Sequence, residues 1–163
     1  MRFFVLILSW FLVFELQAQD CPSVSKIPTV DSLYCEALHF AYAEDFKASL
    51  ILFDQIISLD PEVEEVFFDR GIIKEHLGDK TGAIQDFSQA IKTQHHFADA
   101  YYLRGKLHLE LKQYELALKD LKRANRLDCM NAHAHCLCAE AATYLKKSKL
   151  SQRKAKQCRL LNQ

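Results

Sequence analysis

The sequence predicts an all-α fold built from stacked helical hairpins. Its 163 residues are 50% hydrophobic but include only four Gly and three Pro, a composition that suits one helical domain and disfavours turn-rich all-β or low-complexity chains. Small and large residues recur at a fixed period, every 34 positions, and each period holds two segments with the apolar spacing of a helix. Such self-similarity is typical of an array in which each repeat buries the apolar face of its neighbour.

The first predicted element is a signal peptide, residues 1–18. Its apolar run from Phe3 to Phe14 is shorter than the roughly 20 apolar residues that span a membrane. Leu16 and Ala18 have the spacing that a signal peptidase needs, so the mature chain is expected to begin near Gln19. The sequence therefore predicts an exported protein, in a periplasm, a secretory lumen or the extracellular space.

A leader segment, residues 19–29, follows the expected cleavage point. It contains the first of six cysteines, all of which would then lie in an oxidising compartment where disulfides form. A lipid anchor at Cys21 is the alternative, although the residue before it is not small. Several pairings are open to the six residues, Cys21, Cys35, Cys129, Cys136, Cys138 and Cys158.

Four rows, set by the period, make up the predicted repeat domain, residues 30–163. The rows are 30–63, 64–97, 98–131 and a degraded last row, 132–163. One column holds only small residues, Ala37, Gly71, Gly105 and Ala139. Because Gly costs a helix about 1 kcal/mol relative to Ala, its recurrence predicts a helix crossing too close for a larger side chain. The polar helix that ends the last row would cap the open end of the array.

Rows two and three resemble the tetratricopeptide repeat family. The strings Phe67-Phe68-Asp69-Arg70-Gly71 and Tyr101-Tyr102-Leu103-Arg104-Gly105 carry the resemblance in the first helices, and Ala83, Phe87, Ala90, Ala117, Leu121 and Ala124 carry it in the second. It covers about residues 30 to 163. The resemblance implies a right-handed α-solenoid of about three helix-turn-helix repeats plus a C-terminal capping helical segment.

The resemblance also implies a non-enzymatic adaptor or scaffold that binds a protein or peptide segment in a concave groove. The groove would be lined by Asp31, Tyr34, Leu38, Glu65, Phe68, Ile72, Asp99, Tyr102, Lys106 and Leu109. Its aromatic stripe, formed by Tyr34, Phe68 and Tyr102, either fills gaps between repeats or binds the partner. Its acidic residues, Asp31, Glu65 and Asp99, either form a solvated rim or attract a basic partner. Chaperone-binding members hold a terminal carboxylate with Lys, Asn and Arg, so this surface is not expected to bind a chaperone tail.

Charge divides along the chain although the total is zero. Residues 20–79 contain 13 acidic and 4 basic side chains, whereas residues 80–163 contain 7 acidic and 16 basic ones. Seven cations occur near the end without an intervening acid, at Lys146, Lys147, Lys149, Arg153, Lys154, Lys156 and Arg159. They form either a solvated capping helix or a surface for an acidic partner. That partner would be an anionic lipid, an envelope polymer or the acidic half of another copy, which makes a self-associating envelope component the alternative function. Nucleic acid is disfavoured.

The sequence contains no motif for catalysis or for a cofactor. His133, His135, Cys136 and Cys138 would point to two faces of a helix, so one helix cannot gather all four around a metal ion. No Gly-rich phosphate loop, nucleophile elbow or paired-carboxylate motif occurs. We therefore expect no enzymatic activity, no metal and no cofactor.

The family's repeat geometry implies a disulfide framework. It places Cys138 and Cys158 as neighbours, so a bond between them would staple the last repeat. Cys21 and Cys35 would join the leader to the first helix. The remaining pair would be Cys129 and Cys136.

Overall fold

A computed structural model describes residues 22–162 of the chain. This range contains eight α-helices and no strand, which confirms the predicted all-α fold class. The helices are α1 (Pro28–Tyr42), α2 (Phe46–Leu59), α3 (Glu64–His76), α4 (Lys80–Thr93), α5 (Ala98–Glu110), α6 (Tyr114–Leu127), α7 (Ala132–Tyr144) and α8 (Ser148–Leu161). None of these helices has the length and hydropathy needed to cross a membrane. The predicted signal peptide and the start of the leader lie outside the described residues.

Consecutive helices form four hairpins, one in each predicted row. Their turns share one backbone feature, a residue with positive φ, at Glu44 (61°), Gly78 (84°), Lys112 (60°) and Lys146 (55°). Each of these positions follows the previous one by one period, so the repeat found in the side chains also occurs in the backbone. The fourth row, predicted as a degraded cap, is a complete hairpin of two helices.

Capping side chains explain where three of the helices begin. Asp45, Asp79 and Asn131 each accept a hydrogen bond from the backbone N–H three residues further on, at 2.9 to 3.1 Å. This bond satisfies an N–H group that has no partner within the helix. The first two of these caps start the second helix of their hairpins, and Asn131 starts α7.

The helices divide into two compact units, with the boundary between Val66 and Phe67 inside α3. In the first unit, α1 packs on α2. The ring of Tyr34 on α1 lies 6.2 Å from that of Phe53 on α2. The apolar side chains buried in this unit are Val30, Tyr34, Ala37, Phe53, Ile56, Val63 and Val66.

In the second unit, each hairpin packs on the next through α4 and α5 and through α6 and α7. The core includes two clusters, one around Phe87 and one around Leu121. A Cβ atom added to Gly71 would lie 2.7 Å from the Phe87 ring, and one added to Gly105 would lie 2.9 Å from Leu121 Cγ. The predicted close crossings at these glycines are therefore confirmed.

Candidate functional site

The first helices of the second unit, α3, α5 and α7, form the candidate binding face. The Lys106 ammonium on α5 lies 2.7 Å from Glu75 Oε1 on α3, and α5 also contacts α7. The hydrogen bond to Glu75 is the main reason why the pKa of Lys106 is raised, so its charge is retained. The ion pair therefore joins successive first helices into one continuous surface.

Three predicted groove residues of this unit are at its surface. Ile72 is 40% exposed and lies one helical turn before Glu75, and Asp99 is exposed near the start of α5. Lys106 is half-buried by its ion pair. The exposed part of the face thus combines an aliphatic side chain with charges of both signs.

The other three predicted groove residues of this unit contribute to packing. The Phe68 ring lies 5.7 Å from the ring of Phe87 and 4.5 Å from that of Phe97. Tyr102 packs against the Leu121 cluster, and Leu109, 9% exposed, belongs to it. For Phe68 and Tyr102, this placement favours the gap-filling alternative for the aromatic stripe.

The predicted groove residues of the first unit are Asp31, Tyr34, Leu38 and Glu65. Tyr34 is only 5% exposed, while Leu38 and Glu65 are half-buried. The Asp31 carboxylate already accepts hydrogen bonds from the backbone N–H groups of Val24 (2.8 Å) and Ser25 (3.0 Å). These bonds, that to Val24 foremost, lower the pKa of Asp31. Asp31 therefore fixes the leader against the start of α1.

Two buried ion pairs that the sequence reasoning missed hold the hairpins of the second unit together. Arg70 Nε donates to Asp86 Oδ2 at 2.9 Å, and Arg104 Nε donates to Asp120 Oδ2 at 2.7 Å. The two carboxylates are 3% and 4% exposed. Arg104 also donates to Ser88 Oγ on α4, at 2.9 Å. Each arginine therefore links the two helices of its hairpin, and Arg104 additionally reaches the preceding hairpin.

The last hairpin carries a different pair at these positions. Cys138 and Lys154 stand one period after Arg104 and Asp120, so a cation replaces the buried carboxylate. Lys154 is 9% exposed, and among the described residues no carboxylate lies within ion-pair distance of it. Its Nζ instead lies 3.1 Å from Nδ1 of His135, whose Nε2 lies 3.0 Å from the Cys129 carbonyl oxygen. With Lys154 protonated and donating to Nδ1, this geometry requires a neutral imidazole with its proton on Nε2.

Burial changes the proton affinity of all three groups. It is the main cause of the lowered pKa of His135 and of Lys154 and of the raised pKa of the Cys138 thiol. The Lys154 charge lowers the pKa of His135 further, while the Cys129 carbonyl and the Asp128 carboxylate oppose the shift. His135 is therefore held neutral beside the Lys154 side chain in a largely buried site.

Acid is expected to destabilise this hairpin. Because the pKa of His135 is lower in the folded than in the unfolded chain, its contribution to stability is present above about pH 6.5 and is lost as the pH falls. The free energy of unfolding should decrease by at most about 1.4 kcal/mol per pH unit. Urea unfolding at pH 7 and at about pH 5.5 measures this. His135→Asn keeps a hydrogen-bond acceptor but does not titrate. If the free energy of unfolding of this variant fell by the same amount between the two pH values, the assignment would be refuted.

The same hairpin contains a disulfide between Cys136 and Cys158, whose Cα atoms are 5.1 Å apart. The predicted bonds Cys138–Cys158 and Cys129–Cys136 are therefore wrong. Cys138 and Cys129 are free, the first buried and the second exposed. Cys138 packs among α6 side chains, including Leu121. Since two positions along a helix turn a side chain to nearly the opposite side, Cys136 is the residue that reaches α8.

The N-terminal bond is described only in part. Cys35 is disulfide-bonded. Cys21, its predicted partner, lies outside the described residues. Over residues 22–162, no three His, Cys, Asp or Glu side chains come together as ligands for a metal ion.

The α5–α6 hairpin carries the recognisable family pattern. Residues 98–128 match the family model for the tetratricopeptide repeat. The matched residues include the Arg104–Asp120 pair and the close crossing at Gly105. The resemblance seen in the sequence is thus supported.

Two curated relatives align with larger parts of the chain. Neutrophil cytosol factor 2 of Mus musculus is 34% identical over 92 residues, which are 56% of this chain and 17% of that protein. The DnaJ homolog subfamily C member 7 homolog of Dictyostelium discoideum is 24% identical over 130 residues, which are 77% of this chain and 24% of that protein. The chain therefore spans a quarter or less of the length of these relatives.

Solved structures share the fold at low sequence identity. A crystal structure of MamA protein superimposes with a TM-score of 0.78 at 16% identity, covering 83% of this chain and 75% of that one. The first TPR of Spaghetti (RPAP3), bound to the HSP90 peptide SRMEEVD, superimposes with a TM-score of 0.67 at 19% identity, covering 72% of this chain and 93% of that one. These matches establish a likeness of fold.

Proposed function

We propose that the protein is an exported, non-enzymatic adaptor that binds a segment of another protein on the face of α3, α5 and α7. The Lys106–Glu75 ion pair carries this proposal, because it joins successive first helices beside the exposed Ile72. A continuous surface with an aliphatic side chain between fixed charges suits a segment that offers apolar contacts and hydrogen bonds.

The charges of the face indicate which segments fit. The first TPR of Spaghetti binds an HSP90 peptide, SRMEEVD, so a protein of this fold can hold a short acidic segment. In the present chain Lys106 is already paired with Glu75, and Asp99 adds a negative charge. A strongly acidic tail would be repelled, so we propose a partner segment that is apolar and neutral or basic.

Ile72→Glu is expected to weaken partner binding at least tenfold, because the new carboxylate would have to be desolvated in the bound state. The matched control is Ile51→Glu, a change of the same residue type on α2 at a side chain that is 52% exposed. Chemical cross-linking in the native compartment, followed by affinity capture, would compare both variants with the unchanged protein at equal helical content. Equal capture by Ile72→Glu and the unchanged protein would refute the proposed face.

Export is proposed on the apolar N-terminal run, and the disulfides are consistent with an oxidising compartment. Intact mass of the protein from its own host, before and after reduction with thiol labelling, tests it. Cleavage near Gln19, with only two cysteines labelled before reduction, supports export. A full-length chain in which all six cysteines are labelled before reduction refutes it.

Self-association through oppositely charged halves is the second candidate function. The separation of acidic residues 20–79 from basic residues 80–163 favours it. Sedimentation velocity at low and high salt is the measurement. Oligomers that dissociate as salt rises support this candidate, and a monomer at every salt concentration refutes it.

A further inference from the structure

The outward sides of α6 and α8 carry a group of cations that we call the basic face. All of its members are exposed, and among the described residues none has a carboxylate within ion-pair distance. The face comprises Lys119, Lys122 and Arg126 on α6 and Lys149, Arg153 and Lys156 on α8.

The basic face follows the repeat of the chain. Arg153 stands one period after Lys119, and Lys156 stands one period after Lys122, so both pairs occupy equivalent positions on successive second helices. On α4 the corresponding residues are Gln85 and Ser88, which are uncharged. At these two positions the positive charge therefore occurs only on the last two hairpins, whereas Arg126 has a cationic equivalent on α4, Lys92.

Cations on both helices lie close enough to the buried Lys154 to affect its pKa. Both Lys122 on α6 and Arg153 on α8 act on this residue and contribute to the lowering of its pKa, of which burial is the main cause. Like charges have thus been placed close enough to oppose one another. Since α8 contains no acidic residue, nothing on that helix offsets this repulsion. An external anionic surface would relieve it.

Exposed leucines lie beside these cations. Leu116 is 47% exposed and precedes Lys119 by one helical turn, while Leu160 is 60% exposed and follows Lys156 by one turn. Cations interspersed with exposed aliphatic side chains are typical of helices that bind at the interface of a membrane. Single-stranded nucleic acids, in contrast, are commonly bound on aromatic side chains that stack with bases.

We propose that the basic face binds the surface of a membrane rich in anionic lipids. Its six cations contact the lipid headgroups, and Leu116 and Leu160 reach the boundary with the acyl chains. This contact lies on the second helices and is independent of the segment-binding face on α3, α5 and α7. A membrane-bound adaptor could therefore hold its partner at the same time.

Co-sedimentation with vesicles tests the proposal. The protein is used as its host exports it, with phosphatidylcholine vesicles that either lack or contain about 30% phosphatidylglycerol, at low and high salt. We expect tighter binding to the anionic than to the neutral vesicles, and loss of this difference at high salt. Any contribution of the apolar N-terminal run would be common to both vesicle types and to all variants, so the comparison between them isolates the basic face.

The decisive variant is K119E/R153E, which reverses one equivalent pair of charges. Because each cation near an anionic membrane contributes about a fivefold factor in binding, this variant should bind at least tenfold more weakly. K26E/K47E makes the same change of total charge at exposed lysines in the first unit and should bind as the unchanged protein does. Circular dichroism checks that both variants are folded.

Several results would overturn the proposal. These are equal binding to neutral and anionic vesicles, an equal loss in K26E/K47E, or binding that K119E/R153E leaves unchanged. Salt-sensitive binding to duplex DNA without binding to anionic vesicles would assign the basic face to nucleic acid instead. Salt-sensitive oligomers without vesicle binding would assign it to a second copy of the chain.

Discussion

Replacing Arg104 with Met is expected to lower the free energy of unfolding by about 3 kcal/mol. The change removes the guanidinium that donates to both oxygens of the Asp120 carboxylate, at 2.7 and 2.8 Å. Asp120 is 4% exposed, so its charge would remain buried without adequate compensation. His108 Nε2, 3.8 Å away, cannot replace both hydrogen bonds. Urea unfolding followed by circular dichroism at pH 7 measures the loss.

The double variant R104M/D120L is the matched control. Exchanging both partners for apolar residues of similar size removes the buried charge together with its partner, so much of the lost stability should return. An unchanged urea midpoint for Arg104→Met alone would contradict the assignment. So would a double variant less stable than the sum of its two single changes predicts.

Removing the Cys136–Cys158 disulfide should have the second large effect. Replacing both cysteines with Ser opens a link across 22 residues of sequence, which costs about 3 kcal/mol in the chain-entropy account. Urea unfolding of the oxidised protein and of the variant gives the difference. The loss should be accompanied by faster amide exchange in α8, since the disulfide ties this terminal helix to α7.

Cys129→Ser serves as the control for this prediction, because Cys129 is a free and exposed thiol. It should leave the urea midpoint unchanged. If reduction of the wild-type protein left its urea midpoint where it was, the Cys136–Cys158 disulfide would not stabilise the last hairpin. The prediction would then be wrong.

The hairpin fold could be predicted because small and large side chains recur with the 34-residue period of the repeat. Gly71 and Gly105 repeat where Phe87 and Leu121 approach the helix, and no larger residue fits there. The period therefore reports a steric requirement at these two crossings. It needs no knowledge of the partner or of the compartment.

The disulfide pairing could not be predicted so readily. Cys136 and Cys138 are two residues apart on α7, and a small error in the rotation of that helix exchanges their roles. The environment decides the outcome, since Cys138 fills space in the core against α6. The sequence also left open how deeply the groove residues are buried, and the structure packs Tyr102 against the Leu121 cluster and includes Leu109 in it.

The buried ion pairs did leave a signal in the sequence. Arg70 and Arg104 are one period apart, and so are Asp86 and Asp120. A comparison of columns would have suggested an interaction across each hairpin, and would have shown that Lys154 takes the place of an aspartate. The contact with His135 follows from three-dimensional packing and could not have been read in this way.

The turns with positive φ have a consequence for engineering. Gly78 adopts its conformation freely, whereas Glu44, Lys112 and Lys146 hold a conformation that costs residues with a Cβ atom about 1 kcal/mol. At each of these three positions, a single substitution by Gly would reproduce the turn that Gly78 already uses and give a more heat-resistant protein. All three lie in the connections between helices, outside the segment-binding face and the basic face.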